Sequence, residues 1–100
     1  MKRPRGGGLS MQRLEREARV VRVLAHPQRL AICELLLCGR NSVGELAARL
    51  GLKHNVVSQH LSKMRAWGIV TPRRLGRLVF YEVTDPIPKR VLEGIRERPE

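Results

Sequence analysis

Between Ser42 and Gly68 two short stretches of helical periodicity lie end to end, with only Gly51 and a few further residues between them. Ser42 followed three residues later by Glu45 makes a capping-box pattern, in which the hydroxyl and the carboxylate satisfy two N–H groups that a helix start leaves unpaired. That pattern opens a short helix with Leu46, Ala47 and Leu50 facing inward, and Gly51 closes it. The next helix runs to Trp67 with Val57, Leu61 and Met64 on one face and Gly68 as its stop. Two short helices joined by a tight glycine-containing turn form a helix-turn-helix.

The flanking segments complete a small domain. From Ser10 onward Met11, Leu14, Ala18, Val21 and Leu24 recur at helical spacing, with Arg13, Arg16, Arg19 and Arg22 along another face, so the spacing predicts an amphipathic first helix. Pro27 suits the first position of a second helix, where a missing N–H costs nothing. Apolar residues from Leu30 to Cys38 cover most of that helix's circumference, which predicts a central, buried helix ended by Gly39. Ile69 to Arg74 and Leu78 to Val83 read as strands, with Leu75-Gly76-Arg77 supplying a hairpin turn. Asp85, Pro86 and Pro88 interrupt the chain before Val91, Leu92 and Ile95 mark a last helix. The expected architecture is mainly α with a small β-hairpin, α-α-α-α-β-β-α, a winged helix-turn-helix over residues 10–98. Residues 1–9, with Lys2, Arg3, Arg5 and three glycines, read as a disordered basic arm without the apolar stretch of a signal peptide, which predicts a cytoplasmic protein. At 100 residues the chain suffices for one core, not for a cofactor-binding domain beside a substrate domain.

Twenty Lys and Arg against nine Asp and Glu leave a net charge of +11, so a polyanion is the expected partner: nucleic acid first, an anionic membrane surface second. The apolar runs are far too short to span a membrane. Projected at about 100° per residue, the face of the fourth helix opposite Val57, Leu61 and Met64 carries Asn55, Ser58, Gln59 and Ser62. These side chains have the inventory to read base edges in a major groove, although a merely solvated face has the same composition. The placement of charge favours DNA, because no acid occurs between Glu45 and Glu82 while Arg49, Lys53, Lys63, Arg65, Arg73, Arg74 and Arg77 all do. Lys53, His54, Lys63, Arg73 and Arg74 are the expected phosphate contacts. Arg77, beside Gly76 at the wing tip, is placed to reach a phosphate or a minor groove.

The run from Leu24 to Val83 resembles the ArsR-type winged-helix repressors of bacteria and archaea. Leu24-Ala25-His26-Pro27-Gln28-Arg29-Leu30-Ala31-Ile32 is similar to that family's lead into its second helix, and Ser42 to Ala47 with Gly51-Leu52 to its first helix-turn-helix element. Val57 to Leu61 resembles the recognition helix, and Gly68-Ile69-Val70 with Arg73, Arg74, Gly76, Arg77, Phe80 and Tyr81 the wing. The resemblance implies a homodimer through the first and last helices, with Met11, Leu14, Ala18, Val21, Val91, Leu92 and Ile95 at the interface. A two-fold dimer in turn implies an inverted-repeat operator, half-sites about one helical turn apart. The implied activity is repression by occupancy of a promoter. One departure is Lys53, which stands where the family often places Ser or Asp as the cap of the recognition helix. Lysine cannot accept the free N–H groups there and its charge opposes the helix dipole, so the first turn awaits a phosphate.

No metal or other cofactor is expected. The family's thiolate motif would fall at Glu45 to Arg49, where there is no cysteine, and no histidine follows His60. Cys33 and Cys38, five apart on one helix, lie roughly 8 Å apart at Cα and cannot pair with each other. Both read as small buried hydrophobes, with a redox switch at one of them the sharper alternative. Trp67 reads as a packing residue, His26 as a helix start and His60 as a half-buried neighbour of Leu61. Catalysis is excluded by the lack of a phosphate loop, nucleophile elbow or His-carboxylate cluster. The competing classes are an RNA-binding winged helix, disfavoured by having only Trp67, Phe80 and Tyr81 for stacking, and a protein-interaction module on the same fold.

Overall fold

The structure, a computed structural model, describes residues 7–100; residues 1–6 of the expected basic arm lie outside them. The elements are α1 (Met11–Leu24), α2 (Pro27–Cys38), α3 (Val43–Leu50), α4 (His54–Ala66), β1 (Val70–Leu75), β2 (Leu78–Val83) and α5 (Ile87–Arg96). This is the α-α-α-α-β-β-α order of a winged helix-turn-helix.

Local chemistry sets the boundaries. Ser10 Oγ accepts the Arg13 N–H at 3.1 Å to start α1, and His26 Nδ1 accepts the Gln28 N–H at 3.1 Å to start α2, with Pro27 in its first turn. The capping box is complete: Ser42 Oγ accepts from Glu45 N at 3.2 Å and Glu45 Oε1 accepts from Ser42 N at 2.9 Å. These two bonds hold the Glu45 carboxyl below the ordinary carboxylate range. Pro88 does not interrupt α5 but sits buried in its first turn, where no N–H is required; Asp85 Oδ1 accepts the Ile87 N–H at 2.8 Å just ahead of it.

Helix α2 is central, packed against each of the other four helices and β2. Its Ile32 and Cys33 are fully buried together with Leu46, Val57, Leu61, Met64, Ile69 and Val70. Burial does not extend all round, because Leu37 and Cys38 at its C-terminal end are exposed. Asn41 finishes that end: its Nδ2 donates to the carbonyls of Leu35 and Gly39, and its backbone bridges to Tyr81 of β2, fastening the wing root to α2.

The joint between α4 and the wing is a Schellman motif. Gly68 takes a positive φ of 71°, its N–H bonds the Arg65 carbonyl at 2.9 Å, and the Ile69 N–H bonds the Met64 carbonyl at 2.9 Å. Met64 and Ile69 are both fully buried, so the hydrophobic contact that accompanies this motif lies in the core. Strand β1 therefore begins at Val70, one residue later than the expected Ile69, whose N–H is taken by the helix cap. The hairpin pairs Leu75 with Leu78 across a two-residue Gly76-Arg77 turn. Only Gly76 has positive φ, the pattern of a II′ turn, whose twist suits a hairpin.

Leu46→Ala, at a fully buried α3 position, is expected to destabilise the fold by about 2–5 kcal/mol in denaturant unfolding, whereas Leu78→Ala, 58% exposed, shifts it by less than about 0.5 kcal/mol.

Candidate nucleic-acid interface

Because Val57, Leu61 and Met64 are wholly buried, the opposite face of α4 is fixed outward, and Asn55, Gln59 and Ser62 stand exposed on it. Ser58 is half-buried, roughly 70° round the helix from the centre of that stripe. The structure thus brings three of the four expected base readers onto one open face and places the fourth on its flank.

Beneath the helix lies a polar network that no local pattern in the sequence announces. His60, 8% exposed, accepts from Arg29 Nε at Nδ1 (3.1 Å), which leaves its proton on Nε2 opposite Gln28 Oε1 at 2.8 Å. Arg29 also donates to the Val23 carbonyl at 3.0 Å, and the His26 ring meets His60 edge-on at 4.7 Å. The only signal in the sequence was a histidine amid the apolar positions of α4, since a buried polar group needs partners. The network ties the back of α4 to α2 and to the end of α1. Burial foremost, then His26 and Arg29, hold the His60 imidazole below its ordinary value.

Around the exposed stripe the expected cations are all on the surface. Lys53 precedes α4 and makes no side-chain cap, as its chemistry dictates, and His54 is exposed in the uncapped first turn. Lys63, Arg74 and Arg77 are exposed and have no acid within 4 Å among the described residues. Arg73 differs: its guanidinium closes on Glu82 Oε1 at 2.7 and 2.9 Å, across the hairpin. It braces the two strands.

Of the residues expected at a dimer interface, Met11, Leu14, Ala18 and Val21 are exposed on α1; on α5, Ile95 is 48% exposed and Val91 half-buried. Leu92 is corrected: at 6% exposure it lies in the protomer's own core, where α5 packs on α2. Trp67, expected to pack, is 40% exposed at the C-terminal cap of α4. The cysteines divide. Cys33 is buried with Sγ 3.8 Å from Met64 Sδ, and burial pushes its thiol up to about 12, which disfavours the reactive thiolate. Cys38, expected as a buried hydrophobe, is exposed at the end of α2, and both thiols are free. Among the described residues no cluster of three or more His, Cys, Asp or Glu is placed to hold a metal, and no helix is long and apolar enough to cross a membrane.

Two outcomes follow from this geometry. A thiol reagent should label Cys38 in the native protein and leave Cys33 untouched until unfolding, which peptide mapping resolves. Because the folded His60 value is depressed, its contribution to stability is complete above about pH 6.5, the unfolded value, and is lost as pH falls through the lower folded value. Urea unfolding at pH 7 and pH 5 should show this loss, and His60→Gln should remove that part of the pH dependence.

Comparison with known proteins places this geometry. The family described as "Helix-turn-helix domain" matches residues 24–73, from the end of α1 into the wing. The biofilm growth-associated repressor of Agrobacterium fabrum is 37% identical over 76% of this chain and 65% of its own length, and the transcriptional activator HlyU of Vibrio cholerae is 32% identical over 89% and 86%. The chain thus spans just under two thirds of the Agrobacterium fabrum relative. The structure of HlyU from Vibrio cholerae superposes with a TM-score of 0.78 at 31% identity, covering 87% of this chain and 95% of that one. The homodimeric winged helix-turn-helix DNA-binding domain of Mb0332 from Mycobacterium bovis, described as a possible ArsR-family regulator, gives 0.74 at 28% identity, over 90% and 86%. The chain belongs to the ArsR-type winged helix-turn-helix family of DNA-binding transcriptional regulators.

Proposed function

We propose that the chain is a cytoplasmic homodimer that binds an inverted-repeat operator in double-stranded DNA and represses by occupying the promoter. The observation that carries this reading is the exposed stripe of Asn55, Gln59 and Ser62 on a helix whose other side is locked in the core, flanked by cations without acid partners among the described residues. Asn and Gln offer paired donors and acceptors to adenine, and Ser62 and the flanking Ser58 can serve either role. Lys53, His54, Lys63, Arg74 and Arg77 supply phosphate contacts around them, with Arg77 leading at the wing tip. Arg73, as a brace to Glu82, drops out of that set in the free protein.

The dimer is supported by α1. No residue before Val20 in that helix is buried, although Met11, Leu14 and Val21 form an apolar line along it. A helix this short is marginal in water without packing, so its outer half calls for a partner surface, and Val21 and Ile95 present one at 46% and 48% exposure. The Mb0332 domain is described as homodimeric. Repression follows the name of the relative from Agrobacterium fabrum, while HlyU bears that of an activator. An RNA-stacking platform has no support, because Phe80 and Tyr81 alternate onto opposite faces of the hairpin.

Selection of bound duplexes from a random pool at moderate salt should return an inverted repeat. On that sequence Gln59→Ala should cost roughly 1–3 kcal/mol per half-site, with little loss on random duplex. Equal losses on both would overturn the assignment of the stripe.

A further inference from the structure

The two flanks of α4 are not alike. Lys63 lies on one side of the exposed stripe, roughly 70° from its centre; Arg65, in the last turn, lies on the other side with Ser58. The Arg65 side faces the wing. Strand register puts Pro72, Arg74, Val79 and Tyr81 on one face of the hairpin, and these four together with Arg65 line a cleft of about 440 Å³ between α4 and the wing. Arg73 alternates onto the opposite face, where Glu82 neutralises it.

Arg65 and Arg74 thus open onto one cleft, and neither has an acid within 4 Å among the described residues. Two cations lining one cleft with Pro72, Val79 and the Tyr81 ring repel each other, and the apolar part of the lining strengthens their field. An anion between them relieves the repulsion, and guanidinium forks match the paired oxygens of a phosphodiester. A helix seated in a major groove has one DNA strand along each flank. We infer that the cleft is a clamp for a single backbone phosphodiester, gripped by Arg65 and Arg74 together, on the strand opposite the one that Lys63 meets.

This inference rests on the DNA-binding reading above and adds Arg65 to it, a residue whose role is to hold register and not to read bases. The test is a salt titration of the full chain on the selected duplex and on a random one. R65Q/R74Q should lower the magnitude of the slope of log Kobs against log[salt] by about 0.9 per half-site, one phosphate and not two. It should also weaken both duplexes by the same factor, about tenfold or more at 0.1 M salt. R65K should keep the slope while losing part of the affinity, because the charge remains and the fork does not. R73Q should leave the slope unchanged. Both arginines are exposed, so thermal unfolding of the variants should match the parent. An unchanged slope in R65Q/R74Q, with the parent still bound in a salt-dependent way, overturns the clamp alone; so does a drop of two phosphates, or a change in base preference. Failure of the parent chain to bind either duplex overturns the DNA-binding reading and the clamp with it.

Discussion

Met64 fastens three elements at one point. Its thioether is wholly buried against Cys33 of α2, and its carbonyl accepts the Ile69 N–H that carries the chain out of α4 toward the wing. An unbranched, polarisable side chain fills such a junction without demanding one shape of its neighbours. With this residue in place α4 cannot roll about its axis without opening a cavity beneath it. The outward stripe and the departure angle of β1 are therefore consequences of the same packing. A recognition surface built in this way is rigid because of what lies behind it, and its exposed side chains are left free to meet a partner.

The parts of the fold legible in the sequence were those set by near neighbours in the chain. Ser42 and Glu45 are three residues apart, Pro27 sits beside its helix start, and Gly68 ends its helix through bonds to Met64 and Arg65. What stayed hidden depends on distant partners. Arg29 meets His60 thirty-one positions away, and no local pattern marks that meeting. Leu92 and Ile95 lie on the same apolar side of α5, yet one is buried under α2 and the other stands about half exposed among the described residues. Periodicity reports that a face is apolar, not what covers it. Trp67 and Cys38 share a different position: each stands exposed at the C-terminal end of a helix, which periodicity along the helix does not mark. The candidate base readers were legible because they are the complement of a core face, and the pairing of Arg73 was not, because strand register decides which of two adjacent arginines meets Glu82.

Charge is distributed with the same economy. Among the described residues the cations around α4 and the wing, Arg73 apart, have no acid within 4 Å, and their mutual repulsion opposes folding. Arg29 is the one cation among the described residues that is not exposed, and a backbone carbonyl and a neutral imidazole satisfy it. Keeping His60 uncharged avoids setting a second cation beside that guanidinium in a poorly solvated place. The wing is braced by a single exposed ion pair, a weak interaction in isolation, which here has the additional effect of removing one positive charge from the hairpin's far side.

The bare outer half of α1 carries a consequence for how such a protein responds to its own abundance. In the proposed homodimer that half packs on a second copy and is ordered by mass action, so the two-headed form rises with the square of the monomer pool when that pool is dilute. The proposed inverted repeat would then be engaged at both half-sites together, each raising the local concentration of the other. On that proposal a modest change in synthesis or turnover is converted into a sharper change in the fraction of dimer.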